Sequence, residues 1–97
     1  MSRAEIEAGE QGVAVRGEMS LQTVGRLLNA FPVKKFSGHG ALEIDLGEVT
    51  RADSAGLALL IEWMGLARRN GTEIRFLNMP EQMREIARVT EVKSLLP

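Results

Sequence analysis

The sequence predicts an α/β domain with helices packed on a small mixed sheet, and three stretches carry that expectation. In Leu42-Glu43-Ile44-Asp45-Leu46 large aliphatic residues alternate with carboxylates, the period-two pattern of a strand with one buried face. Ser54 to Asn70 follows as a helix, opened by a polar turn and closed by Asn70-Gly71, where glycine takes the left-handed conformation that stops a helix. Thr72 to Leu77 returns to alternation, with Ile74 and Phe76 on either side of Arg75. Strand, helix and strand in that order belong to a layered α/β domain, and 97 residues hold one such domain and one core, without a second lobe or a deep cleft between lobes.

Taken in order, residues 1 to 11 are weakly patterned, with Ile6 the only large aliphatic after Met1, and read as a frayed start or a short edge strand. Gly12 to Gly17, with Val13 and Val15 alternating, is a second short strand that pairs as a hairpin through the turn near Gly9 to Gly12. Leu21, Val24, Leu28 and Phe31 form an i, i+3, i+7, i+10 stripe, so the next segment is an amphipathic helix capped by Ser20 or its neighbour and ended by Pro32. Val33 to Gly40 has the lysine and glycine content of an exposed connection, and it carries the lone His39.

On the long helix a projection at about 100° per residue places Leu57, Leu60, Ile61 and Met64 on the core stripe, with Trp63 and Ala67 on one flank. Leu59 and Leu66 fall on the opposite half beside Ala58, Glu62, Gly65 and Arg69, which makes that half a candidate docking face. Asn78-Met79-Pro80 turns into a last helix whose inner stripe is Met83, Ile86, Ala87 and Thr90, with Pro80 in its first turn. The apolar tail Val92, Leu95, Leu96 folds back on the domain.

Composition removes whole classes of function. Twelve basic against 13 acidic residues, interspersed, form neither a nucleic-acid footprint nor a polybasic membrane patch. The absence of cysteine removes disulfides, thiolate chemistry and cysteine-based zinc sites, and His39 has no second histidine with which to share a metal. The start of the chain has no apolar signal segment and no apolar run is long enough to span a bilayer, so the expected location is the cytoplasm, without direct membrane insertion. No Walker loop, dinucleotide fingerprint or G-x-S-x-G elbow occurs, so the chain is expected not to be an enzyme and to need no cofactor or metal.

What remains is the turn Arg51-Ala52-Asp53-Ser54-Ala55-Gly56. It delivers an Asp and a Ser to the start of the long helix, where backbone N–H groups lack intrahelical partners and the dipole favours negative charge, a phosphoryl group on Ser54 included. As plain structure the pair is a helix cap worth about 1 kcal/mol.

The stretch from Leu42 to Ile86 resembles the STAS domain, the module shared by anti-sigma-factor antagonists and the cytoplasmic tails of sulfate transporters. Asp53-Ser54-Ala55-Gly56-Leu57 is similar to its signature loop, in which the residue matching Ser54 is a regulatory phosphorylation site of many members. The resemblance covers about residues 12 to 92. Within the family, Arg51 to Leu60 is most similar to the small free-standing STAS subunits of Mla-type phospholipid transport systems, also described as toluene-tolerance proteins, where Thr often stands in place of Ser54. This likeness implies a sheet of four or five strands with helices largely on one face, and no catalysis. It also implies a partner, the cytoplasmic ATPase of an ABC transporter that works with a membrane permease in phospholipid trafficking and outer-membrane lipid asymmetry. The alternative is a soluble anti-sigma-factor antagonist controlled by phosphorylation of Ser54. On either reading the expected contact residues are Asp53, Ser54, Ala55, Gly56, Ala58, Leu59, Glu62 and Leu66.

Overall fold

A computed structural model describes residues 3–36, 38 and 40–90. Its elements run β1 (Ala4–Ala8), β2 (Gly12–Met19), α1 (Val24–Ala30), a single 3-10 turn (Val33–Phe36), β3 (Ala41–Ala52), α2 (Ser54–Arg69), β4 (Glu73–Leu77) and α3 (Glu81–Val89). The sheet is mixed, in the order β1-β2-β3-β4: β1 pairs antiparallel with β2, while β2–β3 and β3–β4 are parallel.

Register explains the one-sided core. Ile6 lies opposite Val15, Val13 opposite Ile44, Leu42 opposite Ile74 and Ile44 opposite Phe76, so the aliphatic positions of all four strands share a face. Val13, Val15, Leu42, Ile44, Leu46 and Ile74 are buried there together with Leu27, Leu57, Leu60, Trp63, Met83 and Ala87 from the helices. The fold expectation therefore stands: helices pack on one face, and the other face carries partly exposed residues such as Glu43 and Asp45. On that face, beside the end of β4, Asp45 Oδ1 accepts from Gly47 N–H at 2.8 Å and from Asn78 Nδ2 at 3.1 Å, which holds its carboxyl below the ordinary aspartate value.

Several local expectations need correction. The first helix starts at Val24 rather than after Ser20, because the Ser20 to Thr23 turn spends its own polar groups: Ser20 N–H donates to Thr23 Oγ1 at 2.9 Å, and Thr23 Oγ1 donates to the Glu18 carbonyl at 2.8 Å. The Ser20 hydroxyl bonds to the Glu18 carboxylate instead of capping. Of the 21/24/28/31 stripe, Phe31 is buried and Val24 packs half-buried against the core, but Leu21 and Leu28 are 74% and 38% exposed, and Leu27 is buried instead. Val33 to Gly40 is not wholly an exposed connection either, since Phe36 closes the 3-10 turn with its ring fully buried.

The strand before the signature turn runs on to Ala52, and α3 takes Pro80 as its N-cap rather than within its first turn. Thr90 is exposed and ends α3 as its C-cap. Gly71, with φ 74°, ends α2 as expected. His39 and the apolar tail from Val92 lie outside the described residues.

Candidate docking surface at the start of helix α2

The turn between β3 and α2 is built around one carboxylate. Asp53, not Ser54, is the N-cap: its Oδ1 accepts from Ala55 N–H at 2.9 Å and from Gly56 N–H at 3.2 Å, satisfying two of the helix's free donors. Its second oxygen, Oδ2, accepts from Leu21 N–H at 3.1 Å, so the same side chain ties α2 to the turn that opens α1. The main chain adds a third tie, Asp53 N–H to the Met19 carbonyl at 3.2 Å.

Gly56 occupies its place for a steric reason. A Cβ at this position would lie 2.3 Å from the Met19 carbonyl oxygen and 3.0 Å from the Met19 Cβ, so the first turn of α2 sits against the end of β2 with no room for a side chain. Asp-x-x-Gly is thus a cap followed by a close approach. Ser54, the first of the two residues between, does not cap the helix and lies exposed at the first helical position.

The face of α2 differs from the helical projection. Its buried residues are Gly56, Leu57, Leu59, Leu60, Trp63 and Ala67, whereas Ile61 and Met64 are only partly buried. Leu59 is 5% exposed, so it is not an outward residue, and Leu66 is half-buried against the core. The reason is a second neighbour: α2 packs on the sheet and also alongside α1 and α3, and Trp63 stacks on Phe31 with ring centroids 4.8 Å apart and planes at 21°. A helix with neighbours on two sides buries a wider arc than a stripe over a sheet. Ala58 and Glu62 are exposed as expected.

What these residues frame is a groove between α1 and α2 of about 340 Å³, lined by Val24, Gly25, Leu28, Ala55, Ala58, Leu59 and Glu62. Leu59 forms its floor while remaining in the core. Of the expected contact residues, Ala55, Ala58, Leu59 and Glu62 meet in this groove, Asp53 and Ser54 stand at the head of the helix that forms its wall, Gly56 is buried against Met19, and Leu66 is not part of its lining. Val24, Gly25 and Leu28 also line the groove, although the helical stripe places Val24 and Leu28 on the inner face of α1. The adjacent Leu27-Leu28 pair signals that one leucine must face away, but not which.

Among the described residues no group of three or more His, Asp or Glu could hold a metal ion, and no helix is long and apolar enough to cross a membrane.

Comparison with known proteins agrees with this architecture. The sequence model of the family described as "Mlab, STAS domain" matches residues 2–97. Among solved structures, the STAS domain of an antisigma-factor antagonist from Rhodobacter sphaeroides is 22% identical with a TM-score of 0.66, covering 84% of this chain and 94% of that one. An anti-sigma factor antagonist from Mycobacterium paratuberculosis is 22% identical with a TM-score of 0.65 over 100% of this chain and 84% of that one. The antagonist SpoIIAA in its unphosphorylated form is 16% identical with a TM-score of 0.63, over 89% and 82%. At these identities the likeness is one of fold. No curated protein matches the chain in sequence.

Proposed function

The chain belongs to the STAS family of the Mlab type, and from that premise we propose that it is a non-enzymatic accessory subunit that docks on the cytoplasmic ATPase of a phospholipid-transporting ABC complex. The observation that carries the reading is the apolar α1–α2 groove beside an exposed Ser54. Its lining is apolar apart from Glu62, and Leu28 at its edge leaves 38% of its surface in water. A groove of this kind fits an apolar side chain or helix edge of a partner.

Two variants test it without touching the core. Nothing lies within 4 Å of a Cβ built on Gly25, and Ala58 is exposed, so Gly25→Trp and Ala58→Arg fill or charge the groove while the domain stays folded. Both are expected to keep the wild-type circular dichroism and melting temperature and to fail to recover the transporter ATPase in an affinity pull-down from native lysate. Recovery equal to wild type by both would remove the groove from the interface.

A second reading, an anti-sigma-factor antagonist regulated at Ser54, is favoured by one observation, the exposure of that hydroxyl at a helix N-terminus. Ser54→Asp bears on both. Because Asp53 already caps α2 and no acid occupies its first turn, the new carboxylate adds about 0.3–1 kcal/mol of favourable dipole interaction and leaves the fold stable. It is expected to abolish partner binding, since a charge that is solvated on the free domain must be stripped of water when a partner closes over the turn. Ser54→Thr is expected to bind as wild type. Calorimetry at matched salt checks this, and equal affinity for wild type and Ser54→Asp would leave Ser54 outside the interface. Identification of an anti-sigma kinase instead of an ABC ATPase in the wild-type pull-down would select the second reading.

A further inference from the structure

β4 is the last strand of the sheet, and among the described residues no strand pairs with its outer edge. The free backbone N–H and C=O groups of such an edge are a template for another strand. Glu73-Ile74-Arg75-Phe76-Leu77 holds no proline or lysine, and its register against β3 runs without a bulge, so the usual devices that blunt an edge are missing.

The two faces of β4 differ. Glu73 and Arg75 lie opposite Ala41 and Glu43 and are exposed on the open face of the sheet, while Ile74 lies opposite Leu42 on the helix side. Ile74 is 8% exposed, more than any other buried aliphatic of the strands. Beside it a hollow of about 70 Å³ between β4 and α2 is lined by Met64, Arg68, Glu73 and Ile74.

A second copy of the chain suits this edge. Antiparallel pairing about a two-fold axis keeps the two open faces on one side only when a residue stands opposite itself at the centre. Centred on Arg75, all five residues pair, but like charges meet at the axis, which is destabilising. Centred on Phe76, Arg75 faces Leu77 and gains no charge partner. Centred on Ile74, Glu73 of each copy stands opposite Arg75 of the other, and Ile74 meets Ile74 beside the hollow.

We propose that β4 is a self-association edge that joins two copies of the chain, their four-stranded sheets made continuous by an antiparallel β4–β4 pair centred on Ile74. Opposite residues in such a pair have Cβ atoms about 4.5–5.5 Å apart, so four charges of alternating sign surround the axis. Arg75, which comes within only 4.0 Å of Glu43 in its own chain, gains a second carboxylate. The interface is isologous and shares no residue with the α1–α2 groove. So short a ladder buries far less than the roughly 800 Å² per partner of a stable interface, and the dimer is accordingly weak, half-formed at roughly 0.1–1 mM.

Sedimentation equilibrium of the full chain at low salt, up to millimolar concentration, tests the pairing, with 15N amide shifts to locate it. Reversible dimerisation is expected, with concentration-dependent shifts centred on Glu73 to Phe76. Glu73→Arg and Arg75→Glu are each expected to weaken dimerisation roughly tenfold or more, because like charges then face each other twice, while the exposed positions leave the melting temperature unchanged. An equimolar mixture of these two variants should recover a dimer of wild-type strength: the introduced arginine faces the introduced glutamate, and native Arg75 faces native Glu73. Glu5→Arg, the same charge change on the exposed β1 edge, should dimerise as wild type. A wild-type chain that stays monomeric at 1 mM, single variants that dimerise like wild type, or a mixture no stronger than either variant alone would overturn the proposal.

Discussion

Gly56→Ala is expected to lower the stability of the domain by roughly 3 kcal/mol, which for a chain of this size moves the melting temperature down by roughly 10–25 °C. The sign is the informative part. In an open helix interior, glycine to alanine is favourable by about 1 kcal/mol, and Gly25, in the first turn of α1 with nothing near its Cβ direction, should shift the same way by less. At Gly56 the added methyl meets a main-chain carbonyl at 2.3 Å, and the Met19 residue that bears it is fully buried and bonded to Asp53. No rotamer change relieves that contact. The first turn of α2 has to move off the end of β2, taking with it the Asp53 bonds and the floor of the α1–α2 groove. Thermal melts of Gly56→Ala and Gly25→Ala side by side are expected to shift in opposite directions. A Gly56→Ala protein as stable as wild type would show that α2 does not seat against Met19.

The second large effect is at Asp53. Asp53→Ala removes the acceptor of three backbone N–H groups, those of Ala55, Gly56 and Leu21, and is expected to cost roughly 2–4 kcal/mol in urea unfolding. Asp53→Asn separates the two duties of the side chain. Asparagine caps helices about as well as aspartate, so a residue that only capped would tolerate it. Here the second oxygen faces the Leu21 N–H, and an amide that keeps its oxygen on the cap presents an NH2 donor to another donor. Asp53→Asn is therefore expected to lose roughly 1–3 kcal/mol, with the loss concentrated in the Ser20 to Thr23 turn and visible as faster hydrogen exchange at Leu21. An Asp53→Asn protein with wild-type stability and exchange would reduce Asp53 to a plain helix cap.

These two residues also mark how far the fold and the site can be read without coordinates. The alternation of Leu42, Ile44 and Leu46, the Asn70-Gly71 stop and the Asp-Ser-x-Gly turn were enough to place β3, α2 and β4, because each depends on interactions within a few residues: side chains alternating across a strand, a glycine with positive φ, a carboxylate reaching back to the next turn. The same local rules located the turn that heads the candidate surface. They did not identify which of Asp53 and Ser54 caps, since either residue type serves. The second oxygen of Asp53 decides it, through a bond to Leu21 that lies 32 positions away in the chain.

What the sequence by itself determined is the class of fold, the strand and helix order from Gly12 onward, and the position of the turn that opens α2. The tertiary structure alone decided which way each helix faces. Leu27 against Leu28, and Leu59 against Ile61, are choices between side chains of similar hydrophobicity one or two positions apart, and a periodic pattern cannot rank them. The choice is made by neighbours: Phe31 stacked on Trp63 draws α1 against α2, buries Leu27 and Leu59 in the seam and leaves Leu28 on the groove's edge. The direction of a helical face is set by where its packing partners stand, and those contacts arise between residues that only folding brings together.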